Sequence, residues 1–159
     1  MTLNTSPVNE ERGYTIQRTF DAPQDLVWTC LTQPEHFAVW YGGHDGQMKD
    51  MVCDARVGGA WGGTMVLPNG VEMAWLGEFR EVDPTSHLVL AFTVPDEFPE
   101  GTPFEYDLFH FDLAEADGKT ELTLRQSGGH LTDEQYVGAE HGTGTFIDVL
   151  AEHLAALQG

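Results

Sequence analysis

Residues 47–126 constrain the fold most, because strand-like segments follow one another there with only turns between them. The segments are 47–54, 59–67, 71–82, 88–94, 104–113 and 120–126. Parallel strands need long crossover connections, usually helices, and no segment with helical periodicity interrupts this stretch. The sequence therefore predicts a run of consecutive antiparallel strands.

Turn chemistry and side-chain alternation support this interpretation. Residues 67–70 and 116–119 contain Asn-Gly and Asp-Gly pairs, which are typical of tight hairpins, and residues 83–86 predict a third turn. Within the strands, apolar side chains recur at every second position and so share one face of a sheet. The clearest sets are Val71, Met73, Trp75, Gly77 and Phe79, and Leu88, Leu90, Phe92 and Val94.

One further strand and three helices are predicted on either side of this run. Residues 14–20 alternate between apolar and polar side chains. Residues 21–23, Asp-Ala-Pro, are typical of a helix start, and an apolar stripe over residues 26–31 follows. A second short helix is expected over residues 34–39. A long amphipathic helix is expected over residues 132–157.

The first half of the long helix is unusual because it contains Gly138, Gly142 and Gly144. Each glycine inside a helix costs about 1 kcal/mol relative to alanine. The glycines indicate either close packing of the helix on the sheet, the interpretation favoured here, or a locally mobile segment over an opening.

These elements predict an α+β fold. About seven antiparallel strands curl around the long C-terminal helix, and two short helices follow the first strand. One helix covers only part of a concave sheet, so the arrangement favours an interior pocket. The length of 159 residues suits one domain, assigned to residues 13–159. Residues 1–12 are polar and without periodicity, so a flexible N-terminal tail is expected.

Charge and targeting signals narrow the classes of partner. The formal net charge of −19 opposes binding to nucleic acids or anionic membrane surfaces, both of which require basic patches. No apolar run approaches the roughly 20 residues of a membrane span. The first 15 residues resemble no signal peptide, so a cytoplasmic location is expected. Cys30 and Cys53 are expected to be two buried free thiols.

Five motifs then occur in a distinctive order. They are R-x-x-x-A-P…V-W at residues 18–28, a tryptophan at Trp40, D-x-R-x-G-G-x-W at residues 54–61, G-x-x-x-E-V-x-P at residues 77–84, and a terminal-helix pattern at residues 142–154. Together they resemble the motifs of the activator of heat-shock-protein-90 ATPase homologue-like family, which belongs to the START-like (SRPBCC) superfamily.

The resemblance implies a helix-grip fold and a pocket that binds small hydrophobic molecules. In this family a tryptophan usually follows the glycine of the last helix, whereas this chain has Thr143. The small hydroxyl implies a larger or wetter pocket. The chaperone-activating role in the family name belongs to eukaryotic members with an added N-terminal domain. The resemblance therefore implies a chaperone partner less strongly than a small-molecule ligand.

Aromatic and methionine side chains at inward positions are the candidate ligand-binding residues, and each is also an ordinary core residue. His110 is added as a polar group that orients a ligand, with Arg56 as an alternative. The candidates are Trp40, Trp61, Met65, Met73, Trp75, Phe79, Phe92, Phe109, His110 and Phe146.

The motif Asp54, Arg56, Gly58 and Gly59 is interpreted as structural, with Asp54 and Arg56 either pairing or fixing a turn. No spacing of histidines and cysteines predicts a metal site, and no catalytic constellation or cofactor motif is found. The main hypothesis is a domain that binds a small hydrophobic or amphipathic molecule. The alternatives are a co-chaperone and an enzyme of the polyketide cyclase kind, with His110 as its leading acid or base.

Overall fold

A computed structural model describes residues 9–128 and 131–159, with side chains from residue 12 onward. The elements in chain order are β1 (Asn9–Phe20), α1 (Gln24–Thr32), α2 (Pro34–Trp40), β2 (Gln47–Cys53), β3 (Ala60–Val66), β4 (Glu72–Asp83), β5 (His87–Thr93), a 3-10 turn (Pro95–Glu97), β6 (Asp107–Ala116), β7 (Lys119–Gly128) and α3 (Asp133–Gln158).

The strands form one antiparallel sheet in the order β1-β7-β6-β5-β4-β3-β2. Consecutive strands from β2 to β7 pair with each other, and β1 pairs with β7 at the edge of the sheet. The predicted turns occur where expected. Gly70, Asp117 and Gly118 have positive φ, a conformation that aspartate and glycine adopt at low cost. The α+β helix-grip architecture is therefore confirmed.

Irregularities in pairing curve the sheet. Register shifts occur between Lys49 and Val52 and between Phe79 and Glu81. Each shift places extra backbone on one strand, which bends that strand and increases its twist. The concave face carries the main hydrophobic core, and α1, α2 and α3 lie against it.

The first strand begins earlier than predicted. Asn9 pairs with Gly128, so residues 9–12 belong to β1 and not to a tail. A register shift separates Asn9 from Gly13, where φ is +156° and a side chain would collide with the Gln126 carbonyl. This bulge breaks the alternation that marks a strand in sequence. Residues 1–8 of the expected tail lie outside the described residues.

The long helix begins at a well-formed cap. The Thr132 hydroxyl accepts a hydrogen bond from the Gln135 backbone N–H, and the Gln135 side chain accepts one from the Thr132 backbone N–H. This reciprocal capping box satisfies two backbone donors at the helix start. Tyr136, Ile147 and Leu150 lie on the buried face of α3.

The close-packing interpretation of the helix glycines is wrong. A methyl group added at Gly138, Gly142 or Gly144 would meet no atom within 4 Å. These positions therefore border open space instead of a closely approaching strand.

The two cysteines differ from expectation in one respect. Both are free thiols, and Cys30 is buried, but Cys53 is only half-buried. Among the described residues, no helix combines the length and the apolar character that a membrane crossing requires.

Candidate functional site

A cavity of about 180 Å³ lies between the first half of α3 and the sheet, and it is partly open to solvent. Its walls come from α3, from β4 to β7 and from the loops beside them. The lining residues are Tyr41, Trp75, Phe92, Thr93, Val94, Glu97, Asp107, Phe109, Gln126, Leu131, Ala139, Gly142, Thr143 and Phe146.

Aromatic rings form the apolar wall. Trp75, Phe92 and Phe109 stack across three neighbouring strands, with ring centroids 5.8 Å and 4.3 Å apart. Tyr41 and Phe146 close the opposite side at 4.8 Å from each other. Such rings supply large, shape-adaptable apolar contact to a ligand. The sequence predicted four of these five rings as candidates and missed Tyr41.

The other apolar candidates lie elsewhere in the core. Trp40, Trp61 and Phe79 are fully buried, and Met65 is buried nearby. Met73 is partly buried against the same core cluster. None of them lines the cavity. Core residues and cavity residues show the same alternation in sequence, because both lie on the inward face of a strand. Alternation does not indicate where along the strand the cavity opens.

His110 lies outside the cavity. It borders a shallow depression with Thr15, Asp112 and Arg125 on the opposite, convex face of the sheet. Phe109 and Phe111 are buried on the concave face, so strand alternation places the residue between them outward. The expectation that His110 orients a ligand therefore has no geometric support.

The Asp54 to Gly59 motif forms a turn. The Arg56 Nε donates to Asp54 Oδ2 at 2.8 Å, and both side chains are at the surface. Gly58 has φ of +81°, and a side chain at Gly59 would collide with the Asp54 carbonyl. The Gly58 N–H donates to the Phe79 carbonyl. This geometry supports the structural interpretation, and Arg56 does not reach the cavity.

A buried polar network borders the cavity, and the sequence did not reveal it. The Tyr14 hydroxyl donates to Gln126 Oε1 at 2.5 Å and lies 2.6 Å from Thr143 Oγ1. Since the phenol has one proton, the Thr143 hydroxyl donates to the Tyr14 oxygen. Gln126 Nε2 donates to Asp107 Oδ2 at 2.7 Å, and the Tyr136 hydroxyl lies 3.3 Å from the other carboxylate oxygen.

Asp107 is fully buried, and its carboxylate lies against the backbone of a glycine in the neighbouring strand β7. A side chain at Gly128 would collide with Asp107 Oδ1. Only a glycine allows β7 to pass this close to the carboxylate. The sequence signal for this site was weak, namely a polar residue at an inward position on each of two paired strands.

Burial keeps the phenols of the site protonated. It raises the pKa of Tyr14 and of Tyr41 above the ordinary value of 10.0, while the Thr143 hydrogen bond partly opposes the rise at Tyr14. Both hydroxyls are therefore neutral at physiological pH. Tyr41 Oη, Trp75 Nε1 and Thr93 Oγ1 have no hydrogen-bond partner among the described residues, although each side chain borders the cavity.

The ionisable side chains in the described lining of the cavity are mainly acidic. Asp107 and Glu97 are its charged groups, and no lysine, arginine or histidine occurs among the described lining residues. The described lining therefore combines an aromatic wall, three polar atoms without a hydrogen-bond partner and the carboxylates of Asp107 and Glu97.

Solved structures of similar shape cover nearly the whole chain. A Nitrosomonas europaea protein is 25% identical, with a TM-score of 0.77 over 94% of this chain and 98% of its own. A Silicibacter pomeroyi AHSA1 protein is 17% identical, with a TM-score of 0.79 over 91% and 99%. A Chromobacterium violaceum protein is 22% identical, with a TM-score of 0.76 over 89% and 95%.

The sequence itself matches a family model. Residues 21–155 match the model described as Activator of Hsp90 ATPase homolog 1-like protein. A search of proteins with curated functions gives no match.

Proposed function

Because the chain belongs to the family of Activator of Hsp90 ATPase homolog 1-like proteins, we propose that it binds a small amphipathic molecule between α3 and the sheet. The observation that carries this proposal is a cavity lined both by aromatic rings and by members of a buried polar network. The net charge of −19 supports the accompanying expectation of no nucleic-acid or membrane-surface partner.

The size of the cavity selects small ligands. A buried apolar cavity of roughly 150 Å³ is large enough to hold benzene. The volume of about 180 Å³, with one side open, suits an aromatic or alicyclic body of one or two rings. Contact with the stacked rings of Trp75, Phe92 and Phe109 removes that body from water.

The polar end selects the ligand's head group. Asp107 and Glu97 contribute carboxylates to the described lining, and the carboxylate of Asp107 is buried. A hydroxyl or ammonium group on the ligand donates to such acceptors, whereas a carboxylate is repelled by Asp107 and Glu97. We therefore expect neutral or cationic donors to bind and anions of the same shape to be excluded.

Stability supports an occupied cavity. A dry void costs about 24 cal/mol per Å³, so a dry cavity of this volume would cost about 4 kcal/mol. That is a large part of the 5–15 kcal/mol by which a domain is typically stable. Water or a ligand that fills the space reduces this cost.

Isothermal titration calorimetry with four ligands of one shape tests the proposal. The probes are 2-naphthol, 2-methoxynaphthalene, naphthylmethylammonium and 2-naphthoate. We expect the phenol and the ammonium to bind at least tenfold more tightly than naphthoate. The methoxy compound, which cannot donate, should fall between them. Absence of binding by all four to folded protein would overturn the proposal. Equal affinity for naphthoate would overturn the head-group assignment alone.

Paired variants locate the site. Ala139→Leu places extra volume in the cavity and should abolish binding, whereas Val137→Leu on the exposed face of the same helix should not change it. Asp107→Asn keeps the shape but removes the charge. Charge-assisted hydrogen bonds exceed neutral ones by about 1 kcal/mol, so ammonium binding should weaken by roughly fivefold or more. Asp112→Asn, on the convex face of the same strand, is its control.

A further inference from the structure

Three metal-ligating side chains converge on the C-terminal half of α3, away from the cavity. They are Cys30 from α1, His36 from α2 and His153 from α3. The Cys30 Sγ and one ring nitrogen of each histidine lie within 4.8 Å of one another. The two nitrogens that face each other, His36 Nδ1 and His153 Nε2, are 2.9 Å apart.

The distance between the two nitrogens is close to that of a tetrahedral site. With zinc bonds of about 2.3 Å to sulfur and about 2.0 Å to nitrogen, tetrahedral angles place two ligand nitrogens about 3.3 Å apart. The same bond lengths place sulfur and nitrogen about 3.5 Å apart. The two facing nitrogens are about 0.4 Å closer together than this geometry requires, and the 4.8 Å limit on the remaining pairs exceeds the required sulfur–nitrogen spacing by about 1.3 Å. Rotation of the half-buried histidine rings must make up these differences.

The surrounding fold holds the ligands in place. The Trp40 Nε1 donates to the Cys30 carbonyl at 2.9 Å, which ties the end of α2 to the end of α1. The thiol is fully buried, and both histidines are partly exposed. An ion can thus enter from the histidine side and find the sulfur ligand already positioned.

We propose that Cys30, His36 and His153 bind a borderline divalent ion of the zinc class, with solvent in the fourth position. A thiolate and two imidazoles match the ligand preferences of such ions. On binding, the Cys30 thiol gives up its proton to solvent. One of the two facing ring nitrogens carries a proton in the contact between the rings. On metal binding that histidine changes tautomer, so the proton moves to its other ring nitrogen and both facing nitrogens have a free lone pair for the ion.

The bound ion would connect all three helices. His153 lies seven residues beyond Phe146, or roughly 10 Å along the helix. The metal would therefore anchor α3 to α1 and α2 without occupying the cavity that the other half of α3 borders. Sequence spacing did not predict this site because its three ligands lie on three different helices.

Cobalt(II) titration of the full-length, chelator-treated protein tests the proposal. We expect a thiolate-to-cobalt charge-transfer band in the near ultraviolet, intense visible bands of tetrahedral cobalt, saturation at one ion per chain, and displacement by zinc. A folded protein without the charge-transfer band would overturn the proposal. Weak binding of several ions without that band would indicate surface carboxylates, in keeping with the net charge of −19, and would also overturn it.

Matched variants assign the ligands. His36→Gln and His153→Gln should each weaken cobalt binding at least tenfold, and Cys30→Ser should remove the charge-transfer band. Cys53→Ser, His44→Gln and His141→Gln change the same residue types outside the cluster and should leave the spectrum unchanged. Zinc should raise Tm by several degrees in the parent and not in His153→Gln. A band that persists in His153→Gln would contradict the assignment.

Discussion

At the scale of single residues, His87 shows how local charge sets a titration. Its ring nitrogens lie 2.6 Å from Asp112 Oδ1 and 3.0 Å from Glu81 Oε1. The hydrogen bond to Asp112 raises the pKa of His87 above its ordinary value of 6.5. Partial burial opposes the rise, and the Glu81 hydrogen bond adds to it. The ring joins the end of β4 to β6 across the start of β5.

The raised pKa predicts a pH-dependent contribution to stability. Because the folded-state pKa exceeds the unfolded one, the contribution is fully present below pH 6.5 and is lost as pH rises through the folded pKa of His87. NMR titration should report a pKa above 6.5 in the folded protein. Asp112→Asn should lower it more than Glu81→Gln. Asp117→Asn, in a remote turn, should not change it. An unchanged pKa in Asp112→Asn would contradict the assignment.

At the scale of elements, α3 combines a strong start with a weakened first half. Its capping box stabilises the N-terminus, while Gly138, Gly142 and Gly144 reduce helix propensity in the turns that follow. Since no atom lies near their missing side chains, close packing does not explain them. Gly142 lines the cavity, so its lack of a side chain enlarges the ligand space.

This arrangement predicts opposite effects on stability and binding. Gly138→Ala and Gly142→Ala should each stabilise the protein by about 0.5–1 kcal/mol and raise Tm by about 1–4 °C. Gly142→Ala should also weaken naphthol binding, because its methyl group enters the cavity, whereas Gly138→Ala should not. Thermal unfolding and calorimetry measure both quantities.

Gly128→Ala is the contrasting control. Its methyl group would collide with Asp107 Oδ1, so this variant should lose stability. If Gly138→Ala or Gly142→Ala also lowered Tm, the added methyl group would have to collide with atoms that the structure does not place near these glycines.

At the scale of the whole molecule, charge opposes compactness. The chain has 26 acidic and 7 basic residues. The ion pairs Arg12–Asp133, Arg18–Asp148 and Lys49–Glu72 involve exposed or half-exposed side chains. Such pairs contribute about 0–1 kcal/mol each. Repulsion among the remaining carboxylates is therefore the dominant long-range electrostatic effect.

Screening should consequently stabilise the protein. Raising NaCl from about 0.01 M to about 0.5 M shortens the Debye length from roughly 30 Å to under 8 Å. We expect Tm to rise at constant pH, because the gain from screened repulsion exceeds the loss in surface ion pairs. Tm should rise similarly with KCl, and an equimolar addition of sucrose controls for osmolyte effects. A Tm that falls with either salt would show that the ion pairs dominate.

Much of the fold could be predicted because its signals are local. The alternation around Phe109 and Phe111, the Asn-Gly and Asp-Gly turns and the first turn of α3 each depend on a few neighbouring residues. The bulge at Gly13 was missed because it interrupts that local pattern. Four of the rings that line the cavity were predicted from the same alternation. Rings buried elsewhere in the core alternate in the same way, so the pattern could not separate the two groups.

The sequence by itself determined the run of antiparallel strands from β2 to β7, the approximate helix positions and the family, since periodicity, turn chemistry and motif order are properties of the linear chain. The pairing of β1 with β7 came from the tertiary structure. The tertiary structure alone decided where the cavity opens, because sheet curvature and the placement of α3 set its depth. It also brought together Tyr14, Asp107 and Gln126, and separately Cys30, His36 and His153. These groups come from distant segments, and their chemistry arises only when packing removes the space between them.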